Sequence, residues 1–217
     1  MHVVIFSGGE VEDGGFVREA LGKSDLIIAA DSGAEAAMRF GFIPNIVVGD
    51  FDSLLETFHE DLIKQEVECI TASAEKDETD TQLAVNTAIQ KGATKISILG
   101  GVIGNRLDHV VANIFLSGYK KEVAISFVNG NQQSFIAEGP TETVLSGRKG
   151  DLLSLIPISK KVEKITTEHL QYQLKNESLV FSVPRGISNV FVQNMVRVSF
   201  TRGTMLFVHT MLTEKDK

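Results

Sequence analysis

The sequence predicts an α/β domain built on a mostly parallel sheet, followed by an all-β domain of sandwich or barrel type. Three observations carry this. In the first half, short β-branched runs alternate with segments of helical periodicity, which is the grammar of βαβ units. Several of those runs stop at Gly or Asp. Beyond the turn pair Asn129-Gly130 no long helical pattern survives, and short apolar runs follow one another between Gly139-Pro140, Ser146-Gly147, Pro184-Arg185-Gly186 and Arg202-Gly203.

In chain order, strands are expected at Val3–Phe6, Leu26–Ala30, Ile46–Val48, Glu68–Ile70, Ile96–Leu99 and Val123–Phe127. Their apolar members suit a sheet covered on both faces. Helices fill the gaps. Phe16, Val17, Ala20 and Leu21 mark the first, and Ala34, Ala37 and Met38 the second. Leu54, Leu55, Phe58, Leu62 and Ile63 mark a third; Thr79–Gln90 follows, and Val110, Val111, Ile114 and Phe115 give the last an apolar stripe. The second half is expected to hold strands at Thr143–Leu145, Leu152–Ile156, Val162–Thr166, Leu170–Leu174, Leu179–Val183, Val196–Phe200 and Met205–His209. The change of grammar divides the chain into domains 1–129 and 130–217.

Composition bounds the function. At 217 residues, 43% hydrophobic and 23% charged, the chain is an ordinary globular protein with enough length to bury a real core. Its net charge of −7 repels a phosphate backbone, so nucleic acid is not an expected partner. A lone cysteine, Cys69, excludes an intrachain disulfide and a zinc ribbon and suits a reducing cytoplasm. The opening residues lack a basic segment and a signal-length apolar run, and nothing is long enough to span a membrane.

The aspartates locate the chemistry. Asp31 ends the run Leu26–Ala30, Asp50 and Asp52 follow Ile46–Val48, and Asp108 follows the Gly100-Gly101 turn. Ligands of open parallel sheets sit outside the carboxyl ends of the strands, so these carboxylates are expected on one rim, with Asp80 joining them from a helix start. In extended chain Asp50 and Asp52 point to the same side, where a cation between them relieves their repulsion; hard oxygen ligands of this kind suit Mg²⁺ that also holds substrate phosphates. The plainer alternative makes Asp50 a helix cap and Asp52 a solvated side chain. Thr79 or Asp77 can cap the helix that Asp80 opens. The turn Gly100-Gly101-Val102-Ile103-Gly104 leads to Arg106, whose fork can grip a phosphate bidentately. Gly22-Lys23-Ser24 is no P-loop, because position 17 is Val17 and the segment precedes a strand. Ser7-Gly8-Gly9 follows a strand without Gly-x-Gly-x-x-Gly, which leaves it as a border for a nucleotide but not a dinucleotide fingerprint. Of the five histidines, His109 alone falls near the acidic rim, and none has metal-ligand spacing.

Ala30-Asp31-Ser32-Gly33-Ala34, Val48-Gly49-Asp50-Phe51-Asp52-Ser53, Lys76-Asp77-Glu78-Thr79-Asp80 and Asn105-Arg106-Leu107-Asp108-His109, in that order, resemble the thiamine pyrophosphokinase family. The likeness extends to Gly186-Ile187-Ser188-Asn189, so it covers nearly the whole chain. It implies an enzyme that moves the pyrophosphoryl group of ATP to the hydroxyethyl oxygen of thiamine, with Mg²⁺, releasing AMP. It further implies a catalytic α/β domain, a β domain that helps bind thiamine, and a cytoplasmic homodimer with composite sites. Carried over by motif, Asp50, Asp52 and Asp80 would hold Mg²⁺ and the polyphosphate, Arg106 would neutralise developing charge, and Asp31 and Asp108 would complete the rim. Thr79, Asn105, Ser188 and Asn189 would lie against the substrates, and which carboxylate accepts the hydroxyl proton stays open. The chain has no Trp, so Phe207, Phe191 or Tyr172 would have to supply any aromatic wall for thiamine. The rival readings are a Mg²⁺-dependent phosphohydrolase using the same rim and a non-catalytic nucleotide or vitamin sensor. The sensor has no need of a full set of mutually repelling carboxylates.

Overall fold

The structure, a computed structural model, describes residues 1–49, 65–71, 78–104 and 106–213. The third helix expected at 54–63 therefore lies outside the described residues. The chain separates into two compact units, Met1–Gly130 and Asn131–Lys217.

In the first unit, β1 (His2–Phe6), β2 (Leu26–Ala30), β3 (Ile46–Gly49), β4 (Glu68–Thr71), β5 (Lys95–Leu99) and β6 (Ala124–Asn129) line up in the order β6-β5-β1-β2-β3-β4. Every neighbouring pair is parallel. Four helices are described: α1 (Gly15–Gly22), α2 (Gly33–Arg39), α3 (Asp80–Gln90) and α4 (Leu107–Leu116). Alternation along β1 explains the two-sided burial. Val3 and Ile5 join Ala84, Val85 and Ala88 of α3 in one core, while Val4 and Phe6 point the other way and are equally buried. On that second side α1 lies on β6 and α2 on β1 and β2, with the Phe6 and Phe40 rings 6.0 Å apart.

The chain steps outward from β1 to β2, β3 and β4, then returns to lay β5 and β6 on the other side of β1. The loops after β1 and β5 consequently diverge, which opens a crevice at the carboxyl edge of the sheet.

The second unit holds β7 (Gln132–Glu138), β8 (Thr141–Ser146), β9 (Leu152–Pro157), β10 (Lys161–Glu168), β11 (Lys175–Val180), β12 (Asn189–Val190), β13 (Met195–Phe200) and β14 (Thr204–Thr210). They form the antiparallel layers β12-β9-β14-β7 and β11-β10-β13-β8. Leu153, Leu155, Met205 and Phe207 from one layer meet Val162, Val196, Val198 and Phe200 from the other, so the unit is a sandwich.

Two expectations fail here. Leu170–Leu174 is not a strand: His169 at φ +64° ends β10, a single bridge joins Leu170 to Phe191, and Thr167 Oγ1 accepts the Leu174 N–H at 2.8 Å. Its leucines are buried all the same, because a bend can bury side chains once its backbone groups are bonded. The strand expected at Leu179–Val183 is shifted back to Lys175–Val180, stopping before Ser182 at φ +66°. The polar strand β7 carries no periodic signal and owes its place to full pairing with β14.

Candidate active site

The loops at the crevice enclose a cleft of about 390 Å³, lined by Ser7, Gly8 and Gly9 after β1, Asp31 and Ser32 after β2, and Thr79, Asp80 and Thr81 at the start of α3. Gly101, Ile103 and Gly104 after β5, with Arg106, His109 and Asn113 at and beyond the start of α4, close it.

Each wall has a local cause. Asp31 sits at φ +46°, an uncommon conformation for a residue with a side chain, and its N–H donates to the Val48 carbonyl at 2.8 Å while its own carbonyl accepts from Ala34 at 3.1 Å. That left-handed step turns the chain from β2 into α2. The first turn of α2 then passes so close to β1 that a Cβ on Gly33 would sit 2.1 Å from the Phe6 carbonyl oxygen. Thr79 is the N-cap of α3, its hydroxyl accepting the Gln82 N–H at 3.2 Å, which leaves Asp80 in the first turn where the helix dipole favours a carboxylate. Behind it the buried hydroxyls of Ser7 and Thr81 meet at 2.7 Å and tie β1 to α3 across the floor.

Arg106 and Asp108 form a two-bond pair, Nε to Oδ1 at 3.0 Å and Nη2 to Oδ2 at 2.7 Å. The Arg106 hydrogen bond holds the Asp108 carboxyl at about 2 and pushes the guanidinium up. Because the carboxyl is depressed, the pair persists at every pH above its ordinary range and loosens only as pH falls through about 2. Both side chains are largely exposed, so the pair orients the guanidinium more than it stabilises the fold.

Of the ten residues expected at the site, Asp31, Thr79, Asp80 and Arg106 line this cleft. Asp108 is bonded to Arg106 but is not part of the lining. Asp50, Asp52 and Asn105 lie outside the described residues. Ser188 and Asn189 belong to the second unit. There Ser188 is at φ +55° with its N–H on Ser154 Oγ at 3.0 Å. The buried Asn189 amide grips the main chain of Tyr172 at both ends, Oδ1 accepting its N–H at 3.0 Å and Nδ2 donating to its carbonyl at 2.7 Å. Thr81 and Asn113, which sequence reasoning passed over, also line the cleft. Their sequence signals, the place of Thr81 next to Asp80 and the two-turn spacing of Asn113 from Arg106, are too weak to single them out.

Among the described residues no three His, Cys, Asp or Glu side chains converge on one point. The donors that line the cleft are nevertheless mostly oxygens, the carboxylates of Asp31 and Asp80 and the hydroxyls of Ser7, Ser32, Thr79 and Thr81, with the His109 imidazole beside them. The two carboxylates and the hydroxyls suit a hard cation such as Mg²⁺. Among the described residues no helix is long and apolar enough to cross a membrane.

Comparison with known proteins agrees with the motifs. The profile for "Thiamin pyrophosphokinase, catalytic domain" matches residues 17–127, and that for "Thiamin pyrophosphokinase, vitamin B1 binding domain" matches 141–205. The chain is 27% identical over 187 residues to thiamine pyrophosphokinase of Bacillus subtilis (strain 168), covering 85% of this chain and 87% of that protein. Its fold is similar to the crystal structure of a Bacillus subtilis thiamine pyrophosphokinase, with a TM-score of 0.84 at 26% identity over 98% of this chain and all of the other. The structure from Geobacillus thermodenitrificans gives 0.81 at 26% identity, with 99% of each chain covered. With a catalytic-domain profile over half its length and a vitamin-binding profile over most of the rest, the chain belongs to the thiamin pyrophosphokinase family.

Proposed function

We propose that this protein transfers the pyrophosphoryl group of ATP to thiamine, giving thiamine diphosphate and AMP. The observation that carries the reading is the convergence of Asp31, Asp80 and Arg106 on one cleft at the crevice of the unit that the catalytic profile matches. The hydroxyethyl oxygen of thiamine bonds to the β-phosphorus, the bond from that phosphorus to the bridging oxygen breaks, and AMP leaves with the oxygen. The hydroxyl proton passes to a carboxylate of the rim or to water. When bound, Mg²⁺ neutralises phosphate charge and draws the oxygens into line. Asp80 and Asp31 would hold it together with Asp50 and Asp52, which the motif likeness assigns to the same task. Arg106 meets the polyphosphate with the guanidinium edge that Asp108 leaves open, so Asp108 acts by orienting Arg106. Incubation with ATP, Mg²⁺ and thiamine, followed by mass analysis, is expected to yield thiamine diphosphate and AMP in equal amounts, and none of either with EDTA. ADP with thiamine monophosphate would mean attack at the γ-phosphorus and would overturn the reading; inorganic phosphate without thiamine diphosphate would make the protein a hydrolase.

The second unit's part is thiamine binding. Phe191 and Phe207 are fully buried, stacked on His209 and Phe135 at 4.8 and 4.9 Å, whereas Tyr172 is 68% exposed on a backbone that Asn189 holds rigid. Tyr172 is thus the aromatic that can lie against a thiamine ring in a chain without Trp, and Asn189 serves by fixing it. The exposed face of α4 formed by Leu107, Val111 and Phe115 supports a homodimer in which each vitamin pocket draws on both chains, and the single cysteine suits work in the cytoplasm. Tyr172→Ala is expected to raise KM for thiamine about tenfold and Tyr172→Phe to change it little. Mixing Asp80→Asn and Tyr172→Ala chains at low thiamine should restore roughly a quarter of wild-type activity if sites are shared between chains, because half the dimers are mixed and each has one intact site. No recovery after verified subunit exchange would place each site within one chain.

A further inference from the structure

α4 buries an amide where an amphipathic helix ordinarily buries an aliphatic side chain. Asn113 is its one buried residue, while Leu107, Val111 and Phe115 are 72%, 41% and 53% exposed. A polar group persists in such a place only where a hydrogen bond offsets the lost water. Asn113 Nδ2 supplies it by donating to the Gly101 carbonyl at 2.8 Å.

The turn that this bond holds is poorly defined by its own chemistry. Gly100, Gly101 and Gly104 take φ of +80°, +71° and +150°, conformations that glycine reaches easily and leaves as easily. The packing around Gly101 is tight: a Cβ there would lie 2.7 Å from Asn113 Nδ2 and 3.1 Å from Ser7 Oγ, and Ser7 is itself bonded to Thr81. A chain of contacts therefore runs from α3 through the end of β1 and the glycine turn to α4, along the cleft floor.

We propose that Asn113 is a positioning residue for the nucleotide's phosphates, holding the glycine turn so that its N–H groups are set before the anion arrives. Because a peptide unit is planar and trans, anchoring the Gly101 carbonyl also fixes the Val102 N–H in the opposite sense. Donors already fixed bind an anion without the entropy cost of ordering them. The inference deepens the reading above and rests on ATP as the occupant of this cleft.

The test compares Asn113→Leu, similar in volume but without a donor, and Asn113→Gln, which keeps the amide, with wild type. The measurements are KM for ATP, KM for thiamine, kcat, the melting temperature, and calorimetric binding of ATP with Mg²⁺ in the absence of thiamine. Asn113→Leu is expected to raise both KM and Kd for ATP roughly tenfold, the worth of about one such hydrogen bond, with KM for thiamine within about twofold of wild type. Asn113→Gln should recover part of the loss. Should Asn113→Leu fail to fold, Gly101→Ala presses on the same contact from the other side and is expected to give the same selective loss for ATP. A lowered melting temperature with both KM values unmoved would make Asn113 a purely structural residue and overturn the proposal. Wild-type protein that binds ATP but makes no thiamine diphosphate would overturn the activity and leave this inference to the binding data; wild type that binds no ATP would overturn both.

Discussion

Asp80→Asn and Arg106→Ala are each expected to lower turnover by about 10²-fold or more while leaving the protein folded, because each removes charge set in advance against the charge that the reacting phosphates carry. The isosteric Asn keeps its place in the first turn of α3 and forfeits only a modest interaction with the helix dipole, of order 0.3–1 kcal/mol. Arg106 has little packing to lose, since its side chain is 67% exposed and, among the described residues, its side-chain hydrogen bonds run to Asp108. Arg106→Lys should fall between, for it retains the charge and loses the fork. Glu19→Gln on α1, where Glu19 pairs with Lys23 at the surface, is the silent control. Removing Arg106 also frees Asp108, whose carboxyl should rise from about 2 toward its ordinary range, a change that NMR titration reads without any assay. Full activity in Asp80→Asn would take Asp80 out of the reaction.

Gly33→Ala should be a strongly damaging small change outside the cleft. Its added methyl would meet the Phe6 carbonyl oxygen at 2.1 Å and the carbonyl carbon at 2.7 Å, and backbone in a central strand cannot move aside as a flexible side chain can. The expected loss is about 3 kcal/mol or more, at the upper end of overpacking. Because α2 follows directly on Asp31 and Ser32, the variant should lose activity along with stability, at temperatures where it remains folded. Gly22→Ala is the matching control: nothing lies within 4 Å of its Cβ position at the end of α1, so it should be neutral or stabilise slightly. Denaturant melts of the two variants check the contrast, and equal melts would mean that α2 can slide away from β1.

Much of this architecture is written locally. Val3 to Phe6 and Leu26 to Ala30 are apolar on consecutive residues because both faces of their sheet are covered, and that pattern needs no partner to be read. Thr79 followed by Asp80 announces a helix start, and an acidic residue after a strand announces a rim, since both follow from backbone groups within a few residues. The motifs that identify the family have the same short range.

What escaped such reading depends on residues far away in the chain. β7 is polar at its start and becomes a strand because β14, some 70 residues later, pairs with it along its length. Leu170 to Leu174 has strand composition, yet left-handed His169 turns it into a bend that buries its two leucines and exposes the residues between them. The apolar stripe expected on α4 is divided: Val110 and Ile114 are half-buried, Val111 and Phe115 face outward, and Asn113 goes inward. No local pattern selects an asparagine for burial. The choice is made by the Gly101 carbonyl that waits for it, as the pairing of Ser7 with Thr81 across 74 residues is made by the sheet order that brings the end of β1 against the first turn of α3. Periodicity and capping reflect forces between neighbours, so one chain segment reveals them; hydrogen bonds that compensate buried polar groups are settled only when distant segments meet.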